Sequence, residues 1–186
     1  MADTSWVPIA GAAVGAVIAL AGALMTGIRA DRAQRSRDRE AERLTTYVEY
    51  AQTLEAAHAA LRLVARGRAD DPDRSFAAGQ AVQDSGIYGV RERLLMSGST
   101  ELVQACETAF GRLIGVRDAV RGGSALSGRG YHDAYHAYAE ALWALRGAVR
   151  TVMGQRPITP AELGRISWSE REECPACRRA DAPGSL

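Results

Sequence analysis

The sequence predicts an all-α protein: one N-terminal transmembrane helix continuing into a small antiparallel bundle of three to four helices, then a disordered C-terminal tail. Three observations predict it. No charged residue occurs between Thr4 and Ile28. From Leu44 to Met153 apolar residues recur at the three-and-four spacing of amphipathic helices. No segment alternates apolar and polar residues as a half-buried strand does.

The uncharged segment is long enough to span. A helix from Thr4 to Ile28 runs roughly 37 Å at about 1.5 Å per residue, against a hydrocarbon core of about 30 Å. Trp6 stands where an interfacial aromatic anchor belongs, and Pro8 falls in the first turn, where its missing N–H costs little. A cleaved signal peptide is the rival, with Ala19 and Ala21 able to imitate its cleavage site. It fits less well, because the start Met1-Ala2-Asp3 bears an acid instead of a base and the apolar stretch is too long.

Orientation follows from charge. No basic side chain precedes the span, whereas Arg29, Arg32, Arg35, Arg37, Arg39 and Arg43 follow it. The positive-inside rule therefore puts residues 1–5 outside and everything after the 6–28 span in the cytoplasm, at the inner face of the cell membrane. Trp6, Arg29, Arg32, Arg35 and Arg37 are the expected membrane-interface residues, in contact with lipid. Gly11, Gly15, Ala19, Ala23 and Gly27 form a small-residue stripe at four-residue spacing. Such stripes let helix backbones approach closely in a bilayer, so a homodimer is an expected association.

Residues 29–43 read as an Arg-rich juxtamembrane continuation of the same helix, and 44–153 as the bundle. Leu44, Tyr47, Val48, Ala51, Leu54, Leu61 and Val64 mark the apolar stripe, with His58 as a hydrogen-bonded boundary residue. Ala69-Asp70-Asp71-Pro72-Asp73 is a turn. A second helix runs from Pro72 to Met96 on Phe76, Val82, Ile87, Val90, Leu94 and Leu95, with a break near Ser85-Gly86. Ser99 is the N-cap of a third helix, Thr100–Arg121, in which Cys106 is buried. Tyr131, Tyr135, Tyr138, Leu142, Leu145, Val149 and Val152 define the last, Tyr131–Met153. In the tail, 154–186, Thr159-Pro160-Ala161-Glu162 combines an N-cap, a first-turn Pro and a capping-box Glu, predicting a short helix near 160–165.

The N-terminal span, the Arg-rich helix after it and the run Arg91–Leu113 (RERLLMSGSTELVQACETAFGRL) before a Tyr-bearing last helix resemble small membrane-anchored helical proteins of actinobacteria. The resemblance covers about Trp6 to Met153, leaves out the tail, and implies neither substrate nor catalytic residue.

Composition excludes more than it assigns. The 186 residues are 47% hydrophobic and 24% charged, which suits one domain plus an anchor. A net charge of +1 gives no reason to expect nucleic acid. All the basic residues counted as Lys or Arg are Arg, and Asn is absent as well. Without Lys there is no Walker phosphate loop, no Schiff-base Lys and no kinase-type Lys. Gly128-Arg129-Gly130 lacks the preceding strand of a phosphate loop, and Ser124 lacks the flanks of a nucleophile elbow. The sequence therefore points to no enzyme and no small-molecule substrate.

Two constellations retain chemical interest. Cys174-Pro175-Ala176-Cys177 is half of a zinc site or a redox pair, or a chemically incidental pair. No second CxxC lies nearby, so zinc would need the tails of two chains; no strand–helix context supports a thioredoxin-like role. His132 and His136 share a helix face at a spacing that can hold a metal, but with no further ligand in sequence they read as surface or loop-facing histidines. The function expected is a membrane-anchored module that binds an unknown protein partner or scaffolds a dimer. The alternative is a zinc- or redox-responsive regulator acting through Cys174 and Cys177.

Overall fold

The computed structural model describes the backbone of residues 7–181 and the side chains of residues 25–178. These residues form α1 (Val7–Arg66), α2 (Arg74–Gln83), α3 (Ile87–Ser97), α4 (Thr100–Arg121), α5 (Arg129–Val152) and α6 (Pro175–Asp181). Two 3₁₀ turns, Ala161–Leu163 and Arg171–Glu173, lie between α5 and α6. Among the described residues there is no strand, and the expected all-α class holds. The chain divides into two compact units at Leu44 and Thr45.

In the first unit the side chains from Met25 to Arg43 are all exposed on one uninterrupted helix. Arg35 pairs with Asp31 one turn away, and Gln34 Nε2 donates to Asp38 at 2.9 Å. Among the described residues no helix is long and apolar enough to cross a membrane. The span expected over 6–28 falls, except for Met25–Ile28, on residues whose side chains lie outside that description. The same holds for Trp6 and for the stripe positions Gly11, Gly15, Ala19 and Ala23. Gly27 is described, and a Cβ there would meet nothing within 4 Å.

The second unit is built around the last third of α1. Tyr50, Leu54, Ala57, Leu61 and Ala65 are buried at three-and-four spacing. Against them stand Leu102, Cys106, Ala109, Leu113, Val116 and Val120 of α4 and Tyr138, Leu142 and Leu145 of α5, with α2 and α3 adding Ala78, Val82, Ile87, Val90 and Leu94. Tyr50 carries a polar tip into this core and donates its hydroxyl proton to the Cys106 carbonyl at 3.0 Å.

The predicted break at Ser85-Gly86 separates α2 from α3. Gly86 sits at φ +74°, a left-handed conformation that favours glycine. Ser85 Oγ ties the corner by donating to Val82 O at 2.7 Å and accepting from Ile87 N–H. Ser99 caps α4 as expected, its side chain accepting from Leu102 N–H.

Phe76 was expected in the core and is 69% exposed. The reason is the rotation of α2: Arg74, Ala78 and Val82 face inward at four-residue spacing, which turns Phe76 to solvent. Val48 is half-exposed for a related reason, lying off the Tyr47–Tyr50–Leu54 stripe on the rim of a groove of about 550 Å³ that Trp143, Val149 and Ile158 also line.

Among the described residues Arg74 is the one Arg, Asp or Glu buried in the core, 3% exposed. Its guanidinium reaches Val64 O, Gly67 O and Arg68 O at the end of α1, and Val120 O and Ser124 O at the end of α4. The distances run from 2.6 Å to Ser124 to 3.3 Å to Gly67. The last carbonyls of a helix have no intrahelical donor and carry partial negative charge, so one planar cation satisfies both helix ends at once. Leu126 N–H adds a bond to Ala65 O at 3.2 Å, fastening the α4–α5 loop to the same corner.

His58 is the other buried polar anchor. Its Nε2 lies 3.0 Å from Tyr131 Oη, and its ring stacks on Tyr135 with centroids 5.3 Å apart. Burial, aided by the charge of Arg62, pushes it down from 6.5 to about 4.

Two outcomes follow from these anchors. Arg74→Ala leaves several helix-end carbonyls without a donor and is expected to cost about 3–5 kcal/mol, lowering the thermal midpoint of the purified chain by on the order of 10 °C. Arg74→Lys, with three donors instead of five, recovers only part of this; an unchanged midpoint for Arg74→Ala would remove the anchor role. Because His58 is lowered in the folded chain, the unfolded chain takes up its proton first as pH falls. Its stabilising contribution is complete above pH 6.5 and is lost as pH falls towards 4. Over that window stability should decline by up to about 1.4 kcal/mol per pH unit from this group. His58→Gln should flatten the acid limb of the midpoint-versus-pH curve, and a parallel limb would refute the assignment.

Candidate metal centre

The tail does not match the disordered segment expected from its polar composition. After Val152 the chain turns back at Gly154, φ +70°, and runs antiparallel along α5. Each turn of α5 holds it in order. Arg150 Nε donates to Arg156 O at 2.9 Å, and Pro157 lies against Gly147, where a Cβ would stand 3.6 Å from its ring. Trp168 stacks on Trp143 with centroids 4.1 Å apart and planes 8° from parallel. Glu140 Oε1 accepts from Ser169 N–H at 2.8 Å, and Arg171 Nη1 lies 2.9 Å from Asp133 Oδ1. Half of the predicted capping box forms, Glu162 accepting from Thr159 N–H at 2.8 Å, but the Thr159 hydroxyl caps no backbone amide, and the turn is 3₁₀, Ala161–Leu163, with Pro160 at its N-cap. Hydrogen bonds from Arg156 and Thr159 hold the Glu162 carboxyl down at about 2.

This strap delivers the CxxC to the first turns of α5. Cys174 Sγ lies 3.4 Å from His132 Nδ1, and the donor atoms of His132, His136 and Cys174 all fall within 4.8 Å of one another. Cys177 follows three residues beyond Cys174 and is buried as well, 2% exposed. Both cysteines are reduced and buried, as is His136, while His132 is half-buried. Two expectations are corrected here. His136 is not on the surface, because the strap covers it; and Cys174 is not isolated from the histidines, because the strap brings its sulfur beside His132 within the same chain.

The orientation of His136 is fixed by a backbone group. Its Nδ1 lies 3.0 Å from Ser169 O, and a carbonyl can only accept, so Nδ1 carries the proton. Nε2 is left with a lone pair, buried and without a hydrogen-bond partner. Burial lowers the histidine's affinity for a second proton, and His132 and Arg171 work in the same direction. Burial raises the Cys174 thiol, but amide N–H groups of Cys177 and Ala176, the Cys177 side chain and Arg171 together bring it below its ordinary value. Cys177 is raised by burial and by its interaction with Cys174.

The donor set, two imidazoles at i and i+4 and two thiols at i and i+3, suits a soft divalent ion held tetrahedrally. An imidazole whose other nitrogen is fixed by a carbonyl is the usual support for a ligating histidine. Cys106 takes no part: it is buried in the core, and burial pushes its thiol up to about 12. The sequence displayed both halves of the cluster but not the path that joins them. Trp143 and Trp168, Glu140, and Asp133 with Arg171 are the residues that set that path, and no spacing in the sequence marks them as partners.

Comparison of the chain with protein-family models, with curated proteins and with solved structures finds no match.

Trp168→Ala should loosen the strap without touching the bundle core. Loss of a stacked aromatic pair costs about 0.5–1.5 kcal/mol beyond its area, so tryptic cleavage after Arg165 and Arg171 should accelerate by roughly threefold to tenfold. Cleavage unchanged relative to the parent chain would show that the stack does not hold the strap.

Proposed function

We propose that the chain is a non-enzymatic, single-span membrane protein whose N-terminal helix tethers the bundle to the inner face of the cell membrane, where the bundle scaffolds or docks a protein partner. The observation that carries this reading is continuity. The uncharged residues up to Ile28, the Arg-bearing segment and the core stripe Tyr50–Ala65 belong in sequence to one helix, α1. A chain that carries an uncharged stretch of that length on a helix, followed at once by Arg29, Arg32, Arg35 and Arg37, is built to stop at a bilayer with its cationic flank inside. Each exposed Arg contributes about 1 kcal/mol towards anionic headgroups near the surface.

The chemistry of the bundle supports a binding role. Two of its buried titratable groups are partnered within the core: His58 with Tyr131, and Tyr50 with the Cys106 carbonyl. Burial raises the Tyr50 and Tyr131 hydroxyls and lowers His58, so none is poised as a general base or nucleophile at neutral pH.

Topology is tested with a cysteine at a position the fold leaves open. Met96 is 79% exposed, so Met96→Cys in a background carrying Cys174→Ser and Cys177→Ser presents one reactive thiol beside the buried Cys106. A membrane-impermeant maleimide should label it only after cells are lysed, and the chain should stay in the membrane pellet after an alkaline carbonate wash. Labelling of intact cells would reverse the orientation, and release by carbonate would remove the span.

A further inference from the structure

We propose that His132, His136, Cys174 and Cys177 form a tetrahedral site for one Zn²⁺ per chain, which staples the C-terminal strap to α5. The inference stands apart from the membrane reading, since all four residues belong to the Thr45–Leu186 unit.

Geometry carries it first. Bonds of about 2.3 Å to sulfur and about 2.0–2.1 Å to nitrogen put neighbouring ligand atoms of a tetrahedral zinc site roughly 3.5 Å apart. The Cys174 Sγ to His132 Nδ1 distance is already 3.4 Å, and the ligand atoms of His132, His136 and Cys174 lie within 4.8 Å of one another, while Cys177, buried three residues beyond Cys174, supplies the fourth ligand. The second observation is independent of the sulfurs. His136 presents a buried Nε2 lone pair with no donor facing it, an arrangement that costs free energy unless an electrophile occupies the space. A cation with room for one more nitrogen ligand satisfies it.

The chemistry narrows the ion. Two thiolates and two neutral imidazoles exclude the oxygen-seeking Mg²⁺ and Ca²⁺ and match zinc. Binding exchanges the two thiol protons, released to solvent, for one dication, so the site stays neutral overall. The neighbouring charges, Arg171 and Asp133, already offset each other. With four protein ligands no coordination position stays open, which makes the ion structural.

The spacing also accounts for the strap's length. His132 and His136 lie near the start of α5, and the CxxC reaches them only because the chain after Val152 returns the whole length of that helix. A shorter tail would leave the thiols beyond the imidazoles.

The test is metal analysis of the full chain, purified in detergent with a reductant and dialysed against a weak chelator. The parent should hold about one zinc per chain, and substitution with Co²⁺ should give the visible absorption of a tetrahedral thiolate-bound ion, with Cys174→Ser/Cys177→Ser falling below about 0.1 zinc per chain. His136→Gln, which leaves both thiols in place, should lower zinc affinity by at least tenfold. Far-ultraviolet circular dichroism confirms that each variant keeps its helices, since none of the four residues belongs to the main core. A parent chain with reduced thiols and less than about 0.1 zinc would overturn the site. So would zinc that is lost in the cysteine variant but unchanged in His136→Gln, because the ion would then be shared by thiolates of two chains. Isolation of a Cys174–Cys177 disulfide in place of metal, under reductant, would overturn it equally.

Discussion

Everything in the bundle leans on the corner that Arg74 closes. Helices leave carbonyls unpaired at their ends, and a bundle that brings two such ends together in its interior must supply donors there. Here α1 ends at Arg66 and α4 at Arg121, and a single guanidinium serves carbonyls from both. At a position 3% exposed bulk water has little access, and an ammonium, with three donors against five in a fixed fork, serves fewer of these carbonyls. The burial of Arg74 then dictates the rest of α2. It sets which face turns inward, and therefore why small Ala78 and Val82 pack while Phe76 does not. The desolvation cost of a buried cation is met by partial charges at two helix C-termini, so no carboxylate is needed.

The same corner marks the limit of what sequence patterning could reveal. The 3.6-residue period placed α4 and α5 correctly within two residues, because long helices with a buried stripe repeat their signal over several turns. The Gly86 break was equally legible, since a left-handed turn leaves a glycine as its trace. Arg74 gave no such signal. An arginine following Asp-Pro-Asp looks like an ordinary solvated residue, and its burial depends on carbonyls that only tertiary structure brings near. Short α2 offered too few turns for its stripe to outvote the large side chain of Phe76.

A similar asymmetry governs the candidate site. His132 with His136 and Cys174 with Cys177 were each visible as spacings, and each half was discounted for want of the other. Metal sites with ligands in two distant segments are legible only when the return path is known. The path here is written in residues of unremarkable type: a glycine where the chain reverses, a tryptophan opposite another, a glutamate that accepts one amide. Polar composition after Arg165 suggested disorder, yet the polar groups are spent on α5, one contact per turn.

That mode of attachment explains why the strap and the cluster belong together physically. Segments fold when buried apolar area outweighs the entropy lost on ordering, and the strap buries little: Leu163 is 50% and Ile166 70% exposed. Its hydrogen bonds to α5 replace hydrogen bonds to water and each contribute only about 0.5–1.5 kcal/mol net. The Trp143–Trp168 stack holds the middle but not the far end, where Cys174 and Cys177 are nevertheless buried to 8% and 2% exposure. Small side chains at the end of a weakly held segment are ordinarily the first to fray. Cys174 is buried beside two imidazoles, one with an unused lone pair, where a bond stronger than packing or neutral hydrogen bonding would hold the segment best. The metal–thiolate coordination proposed above would be such a bond, placed at the C-terminal end of the strap.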